Sequence, residues 1–217
     1  MFMDHTCGNP TRELIKAKAK ELFNQRGYAC VSLRDIAAAC HISVGNLNYH
    51  FHRKELLIME VQRGIYDEFY GLLESTAQTV ADIVHKFRLI DRNQREYPYY
   101  FKNMLELCRS YEVIRTNQVY FREKLFTYYL QSFMHLAGKG LFLEGTSQNQ
   151  FYSLAYSIVF QHTLWYESDA PTYDLFFREI NYVWHLCNLL RPYLTTTGLA
   201  ELEQALSAQT ASPDPGR

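Results

Sequence analysis

No apolar run among the 217 residues approaches the roughly 20 that a membrane span requires. No signal-peptide pattern is present either, so the expected location is cytoplasmic, with no membrane partner. Cysteine is sparse and scattered, at positions Cys7, Cys30, Cys40, Cys108 and Cys187. An odd, dispersed set without C-x-x-C or Cys/His ligand spacing argues against structural zinc and against a disulfide scaffold. Reduced, buried thiols and no metal are expected. Charge of a single sign is also lacking, because a formal net charge of −1 excludes a uniformly basic coat. G-x-S-x-G, H-E-x-x-H, glycine-rich phosphate loops and EF-hands do not occur. The acidic residues are scattered, so no acid/base pair stands out; neither an enzyme nor a cofactor is expected. Strand-like runs such as YPYYF contain proline and sit amid helical periodicity, so the predicted fold class is all-α.

What the chain does contain is the stretch SLRDIAAACHISVGNLNYHFHRK, from Ser32 to Lys54. The Ser32 hydroxyl can cap a helix, and Asp35 three residues on completes a capping-box-like pair. Leu33, Ile36, Ala37 and Cys40 then share one helical face, with small residues that let another helix cross closely. His41 and Ile42 leave room for only a tight turn. Ser43 reads as a second N-cap, and Val44 to Phe51 as a second short helix with Leu47 and Phe51 inward. This is helix-turn-helix geometry. Its outward residues are Val44, Gly45, Asn46, Asn48, Tyr49 and His50. Asn48 can bond an adenine edge through both amide groups, Gly45 permits close approach, and Val44 can touch a thymine methyl. Tyr49, His50 and Lys54 are suitable phosphate donors, Lys54 at the start of the next helix. The competing reading is a solvated helix pair in an ordinary bundle.

Residues 11–63 closely resemble the DNA-binding domain of the TetR family of bacterial transcriptional regulators. The similarity runs through ELIKAKAKELFNQRGY, S-L-R-D-I-A, I-S-V-G-N-L-N-Y-H-F and K-E-L-L. It implies a first helix over about 11–27, a second over 33–40 and a recognition helix over about 44–50. It also implies DNA contacts from Arg34 and Ser43, and phosphate contacts from Tyr49, His50 and Lys54. Two departures stand out. His41 occupies the turn where the family usually has glycine, and it is expected to adopt a positive φ at a cost of about 1 kcal/mol. Asn48 stands where tyrosine is commonest, which makes it the expected private base reader. The ending LRPYLTTTGLAELEQAL resembles that of one subgroup of the family.

Charge is distributed unevenly. Residues 1–63 hold nine Lys/Arg against six Asp/Glu, so a mildly basic head precedes an acidic body. The expected domains are 1–53 (tail and three-helix head), 54–208 (helical regulatory and dimerisation bundle) and a disordered tail, 209–217. A long helix from Lys54 should join head and body. Further helices are predicted over about 76–93, 98–109, 112–137, 148–166, 173–191 and 197–207, with breaks at Pro98, Gly138/Gly140, Gly145 and Asp169-Ala170-Pro171.

Of 33 aromatic residues, 24 fall between Tyr97 and Tyr193. Either they are simply a bundle core, or some line an apolar pocket in which hydroxyl or imidazole groups orient a ligand. The resemblance implies such a pocket for a small-molecule effector; Tyr100, Met104, Tyr128, Phe160 and Trp165 are the candidate lining. The helices near 148–166 and 173–191 carry an apolar surplus, including Leu154, Ile158, Phe176, Ile180 and Trp184. That surplus points to a two-fold homodimer, as does the resemblance. Paired heads would then read a palindromic DNA operator. His135, His162 and His185 lie on separate helical segments and are expected to be hydrogen-bonded rather than metal-bound. A helical protein-binding adaptor and an enzyme acting in the aromatic pocket are the rivals to a DNA-binding repressor.

Overall fold

The computed structural model describes residues 9–165 and 181–208, except for the side chains of residues 65 and 67–72. Among the described residues every element is helical, and the sole β feature is an isolated bridge between Phe142 and Leu194. The head comprises α1 (Pro10–Arg26), α2 (Leu33–Ala39) and α3 (Val44–His50), and α4 (Lys54–Leu72) leaves it. The body holds α5 (Val80–Glu96), α6 (Pro98–Phe101), α7 (Met104–Ser110), α8 (Glu112–Gly138) and α9 (Gln148–Leu164). It ends with α10 (Tyr182–Leu190), a 3₁₀ turn over Arg191–Tyr193 and α11 (Thr196–Ser207).

Local chemistry sets these boundaries. The Asn9 side chain accepts from the Thr11 amide at 3.0 Å, with Pro10 opening α1, and Gly27 at φ 77° closes it. At α5, Asp82 accepts from the Thr79 amide at 3.0 Å while the Thr79 hydroxyl accepts from the Asp82 amide at 3.2 Å. That capping box starts the helix at Val80, later than the 76 expected from apolar spacing. The predicted helix over 98–109 is two helices, because the Asn103 side chain donates to the Tyr99 carbonyl at 2.7 Å and competes with helical pairing. Asn181 accepts from the Trp184 amide at 3.0 Å and caps α10, so that helix begins well after the expected 173; the first part of the predicted span lies outside the described residues.

Two apolar cores result. One joins Ile15, Phe23, Ile36, Leu47, Phe51 and Leu57 in the head and runs on through Tyr99, Tyr100, Met104 and Leu107. Helices α6 and α7 thus seat the head on the body, with the Phe23 and Tyr99 rings 5.2 Å apart. The other core packs α5, α8, α9, α10 and α11 together. Leu154 and Ile158, expected at a dimer interface, lie within this second core at 4% and 0% exposure. The α9 face that carries them packs on α8 of the same chain. The loop before α9 is fastened to the turn before α11: Thr195 donates its amide to the Leu141 carbonyl at 3.0 Å. Gly198 makes that approach possible, since a Cβ there would lie 2.3 Å from the Leu141 oxygen.

Candidate functional site

The Ser32 cap forms as its spacing predicts, with Asp35 accepting from the Ser32 amide at 2.8 Å and Ser32 Oγ accepting from the Asp35 amide at 3.2 Å. His41 takes φ 55°, the left-handed turn expected of it. Ser43 Oγ then accepts from the Asn46 amide at 3.1 Å and starts α3. Leu47 and Phe51 are buried at 0% and 1% exposure, so they hold α3 by one side. The opposite side is open: Val44, Gly45, Asn46, Asn48 and Tyr49 are exposed, as is Arg34 on α2. Tyr49 is 85% exposed and touches His50 edge-on, with ring centres 5.2 Å apart. A rigidly capped helix that turns amides and a phenol to solvent matches the needs of groove reading.

Lys54 departs from its expected role as a free phosphate donor. Its ammonium donates to the carbonyls of Tyr28 and Val31, the latter at 2.8 Å, and so closes the loop between α1 and α2. Burial lowers its pKa, an effect that Cys30 and Asp35 partly offset. Lys16 and Lys18 pair with Glu13 and Glu21 on their own helix, each at 2.8 Å. Among the thiols, Cys40 and Cys187 are buried as expected, whereas Cys30 is exposed.

In the body lies a cavity of about 30 Å³ bounded by Tyr66, Ile90, Tyr100, Met104, Phe121 and Leu125. A water needs roughly 10–15 Å³ of such space, so it has room for about two. Pockets that hold drug-sized ligands measure roughly 300–1,000 Å³, well above this cavity. Of the expected lining, Tyr100 and Met104 are present. Tyr128 is buried in the neighbouring core instead, Phe160 is 49% exposed on the outside of α9, and Trp165 packs on Tyr182 and His185. Helical rotation explains these misses: each is aromatic and near in sequence, yet points to another face.

The cavity's polar groups include residues not expected there. Gln118 on α8 donates through Nε2 to the phenols of Tyr66 on α4 and Tyr100 on α6, both at 2.6 Å; these phenols are 3.0 Å apart. His162 meets the Tyr129 phenol at 2.8 Å through Nε2 and the Tyr182 phenol through Nδ1. Burial pushes its pKa down to about 3, so the ring is neutral, one nitrogen donating and the other accepting. Gln94 Nε2 donates to the His162 carbonyl at 2.5 Å, leaving Gln94 Oε1 without a partner; Arg122 Nε is likewise unpartnered. A buried polar atom left so costs about 1–3 kcal/mol. Spacing carried a signal for three of them: Gln94 follows Ile83, Phe87 and Ile90, Gln118 follows Ile114, and His162 follows Leu154 and Ile158 on inward faces. His135 bonds Gln78 at 3.0 Å, far along the body from His162, and His185 stacks against Trp165.

The outer side of α9 presents Tyr152, Tyr156 and Phe160 four residues apart, with Tyr156 64% exposed. Trp184 on α10 is 53% exposed; Phe176 and Ile180 lie outside the described residues. None of the described helices is long and apolar enough to cross a membrane.

A capped helix-turn-helix head on a helical body is the architecture of a DNA-binding transcriptional regulator. The chain matches the family model for bacterial regulatory proteins of the tetR family over residues 15–61, and that for a bacterial transcriptional repressor over residues 66–202. It belongs to the TetR family of transcriptional regulators, which are not enzymes. It is 33% identical to the transcriptional repressor KstR2 of Rhodococcus jostii over 107 residues, 45% of this chain and 52% of that protein. With the regulator UidR of Escherichia coli K12 it shares 39% identity over 56 residues, 26% of this chain and 29% of UidR. The chain thus spans about half or less of the length of these relatives. In fold it is similar to a TetR-family regulator from Marinobacter aquaeolei VT8, with TM-score 0.77 at 21% identity over 91% of this chain and 99% of that one. It is also similar to SmeT in complex with triclosan, with TM-score 0.61 at 18% identity over 87% and 93% of the two chains.

Proposed function

We propose that this regulator is a repressor that acts as a homodimer on a palindromic operator and releases it when a small, largely apolar effector enters the helical body. The observation that carries the DNA half is the open face of α3, where Asn46, Asn48 and Tyr49 are exposed while Leu47 is fully buried. Arg34 on α2 and the mildly basic head supply the phosphate side of the contact. Two heads related by a two-fold axis would read half-sites about 34 Å apart, or a multiple of that. The apolar strip of Tyr152, Tyr156, Phe160 and Trp184 supports pairing through α9 and α10.

The effector half rests on the cavity and on how its wall is tied together. The Tyr66–Tyr100–Gln118 bonds join α4 to α6 and α8 at the cavity wall. An occupant large enough to part these residues would shift α4 and the head it carries. Such coupling cannot exceed the occupant's preference for one arrangement, commonly about 1–3 kcal/mol. SmeT, seen with triclosan, offers a precedent for a small molecule on this fold.

The test is binding to the DNA upstream of the protein's own gene, measured by fluorescence anisotropy. Asn48→Ala should weaken operator binding by about 1–3 kcal/mol and relax preference at one base position. Unchanged affinity and unchanged preference would remove Asn48 from the reading face.

A further inference from the structure

We propose that the effector this cavity selects is an apolar acid: a small organic carboxylate whose hydrophobic body also carries one O–H or N–H group. This rests on the body being an effector compartment and asks which chemistry the compartment accepts.

The polar groups around the cavity divide into those already satisfied and those still open. Tyr66, Tyr100 and Gln118 bond one another, and both ring nitrogens of His162 are engaged by phenols. Gln94 is 1% exposed and its amide orientation is determined, because turning it over would set its oxygen against the His162 carbonyl. Its Oε1 therefore accepts nothing from the protein and calls for a donor. Arg122 Nε–H is the complementary open group, a buried donor with no acceptor.

Charge narrows the class further. The guanidinium is always protonated, and among the described residues no aspartate or glutamate lines the cavity. A neutral carbonyl would satisfy the Nε–H bond alone, whereas a carboxylate supplies the bond and the counter-charge together. Ile90, Met104, Phe121 and Leu125 form the rest of the wall and take an apolar body. A ligand hydroxyl or amine would give Gln94 Oε1 the donor it lacks.

The experiment uses the full chain and two matched sets. One is 4-hydroxycinnamate, its methyl ester and 4-propylphenol; the other is 10-hydroxydecanoate, its methyl ester and 1-decanol. Binding is measured by calorimetry and DNA release by anisotropy. In at least one set the acid should bind tenfold or more tightly than its two neutral partners. Arg122→Met should abolish that margin while leaving neutral binding within twofold. Arg122→Lys, which keeps charge but loses the Nε–H, should retain part of the margin and guards against a folding defect in the first variant. Gln94→Met should weaken the hydroxylated acid tenfold but not cinnamate or decanoate. Neutral members binding as well as the acids, no acid binding in either set, or a margin that survives Arg122→Met would overturn the proposal. Acids that bind with the expected margin yet never release DNA would leave it standing and instead defeat the effector-responsive reading above.

Discussion

Lys54 shows how one side chain can change what a motif means. In sequence it reads as a phosphate donor at a helix start, but its ammonium is engaged by the carbonyls that follow α1. We expect Lys54→Ala to cost about 1–3 kcal/mol in thermal unfolding, since hydrogen bonds from a charged donor are lost. Operator affinity should fall with it, while the slope of log affinity against log salt should change by less than the roughly 0.9 that one lost phosphate contact brings. His162 makes a second prediction. Its folded-state pKa is near 3, below the ordinary value of 6.5, so the unfolded chain binds the extra proton first. Its contribution to stability is complete above about pH 6.5 and is lost as pH falls toward 3, at up to about 1.4 kcal/mol per pH unit. Melting curves between pH 7 and 5 should show this slope in the wild type and a flatter one in His162→Gln.

At the scale of elements, α3 is a helix only seven residues long, held by a cap and two inward side chains. Gly45 sits on its open side, where a Cβ would meet only Ser43 Oγ, at 3.8 Å. Gly45→Ala should therefore stabilise the fold by up to about 1 kcal/mol through helix propensity. If α3 enters the groove as proposed, the same methyl should weaken operator binding, so stability and affinity move in opposite directions. A rise in both would show that nothing approaches Gly45 closely.

The head was legible because its signals are local: Ser32 with Asp35, Ser43 with Asn46, and the inward pair Leu47 and Phe51 all lie within one or two helical turns. The cavity was less so. Its lining comes from six helices, α4 to α9, and the choice between Phe160 outside and His162 inside depends on a rotation of α9 that the even spread of aromatics conceals. Leu154 and Ile158 were assigned to the wrong surface for the same reason: an apolar residue on a helix with two apolar sides does not say which neighbour it meets.

For the whole molecule, the proposed dimer would require α9 to serve two partners. Its inner side fills the subunit's core, and its outer side, with Tyr156 at the centre, remains uncovered. Tyr156→Arg should leave the subunit folded, because the residue touches solvent more than core, but should shift sedimentation from dimer toward monomer. Operator affinity should fall roughly 10²–10⁴-fold as the gain from linking two heads is lost. A variant that remained dimeric would move the interface to another face.

The tightness of the internal cavity has a thermodynamic consequence. If an effector enters this compartment as proposed, space for only about two water molecules means that binding would draw on whatever fraction of chains has already parted Tyr66 from Tyr100 and Gln118. Apparent affinity is the intrinsic one diminished by that fraction. If the body is the effector compartment proposed above, the three bonds at the wall act as a threshold, and loosening them would make the regulator responsive at lower effector concentrations.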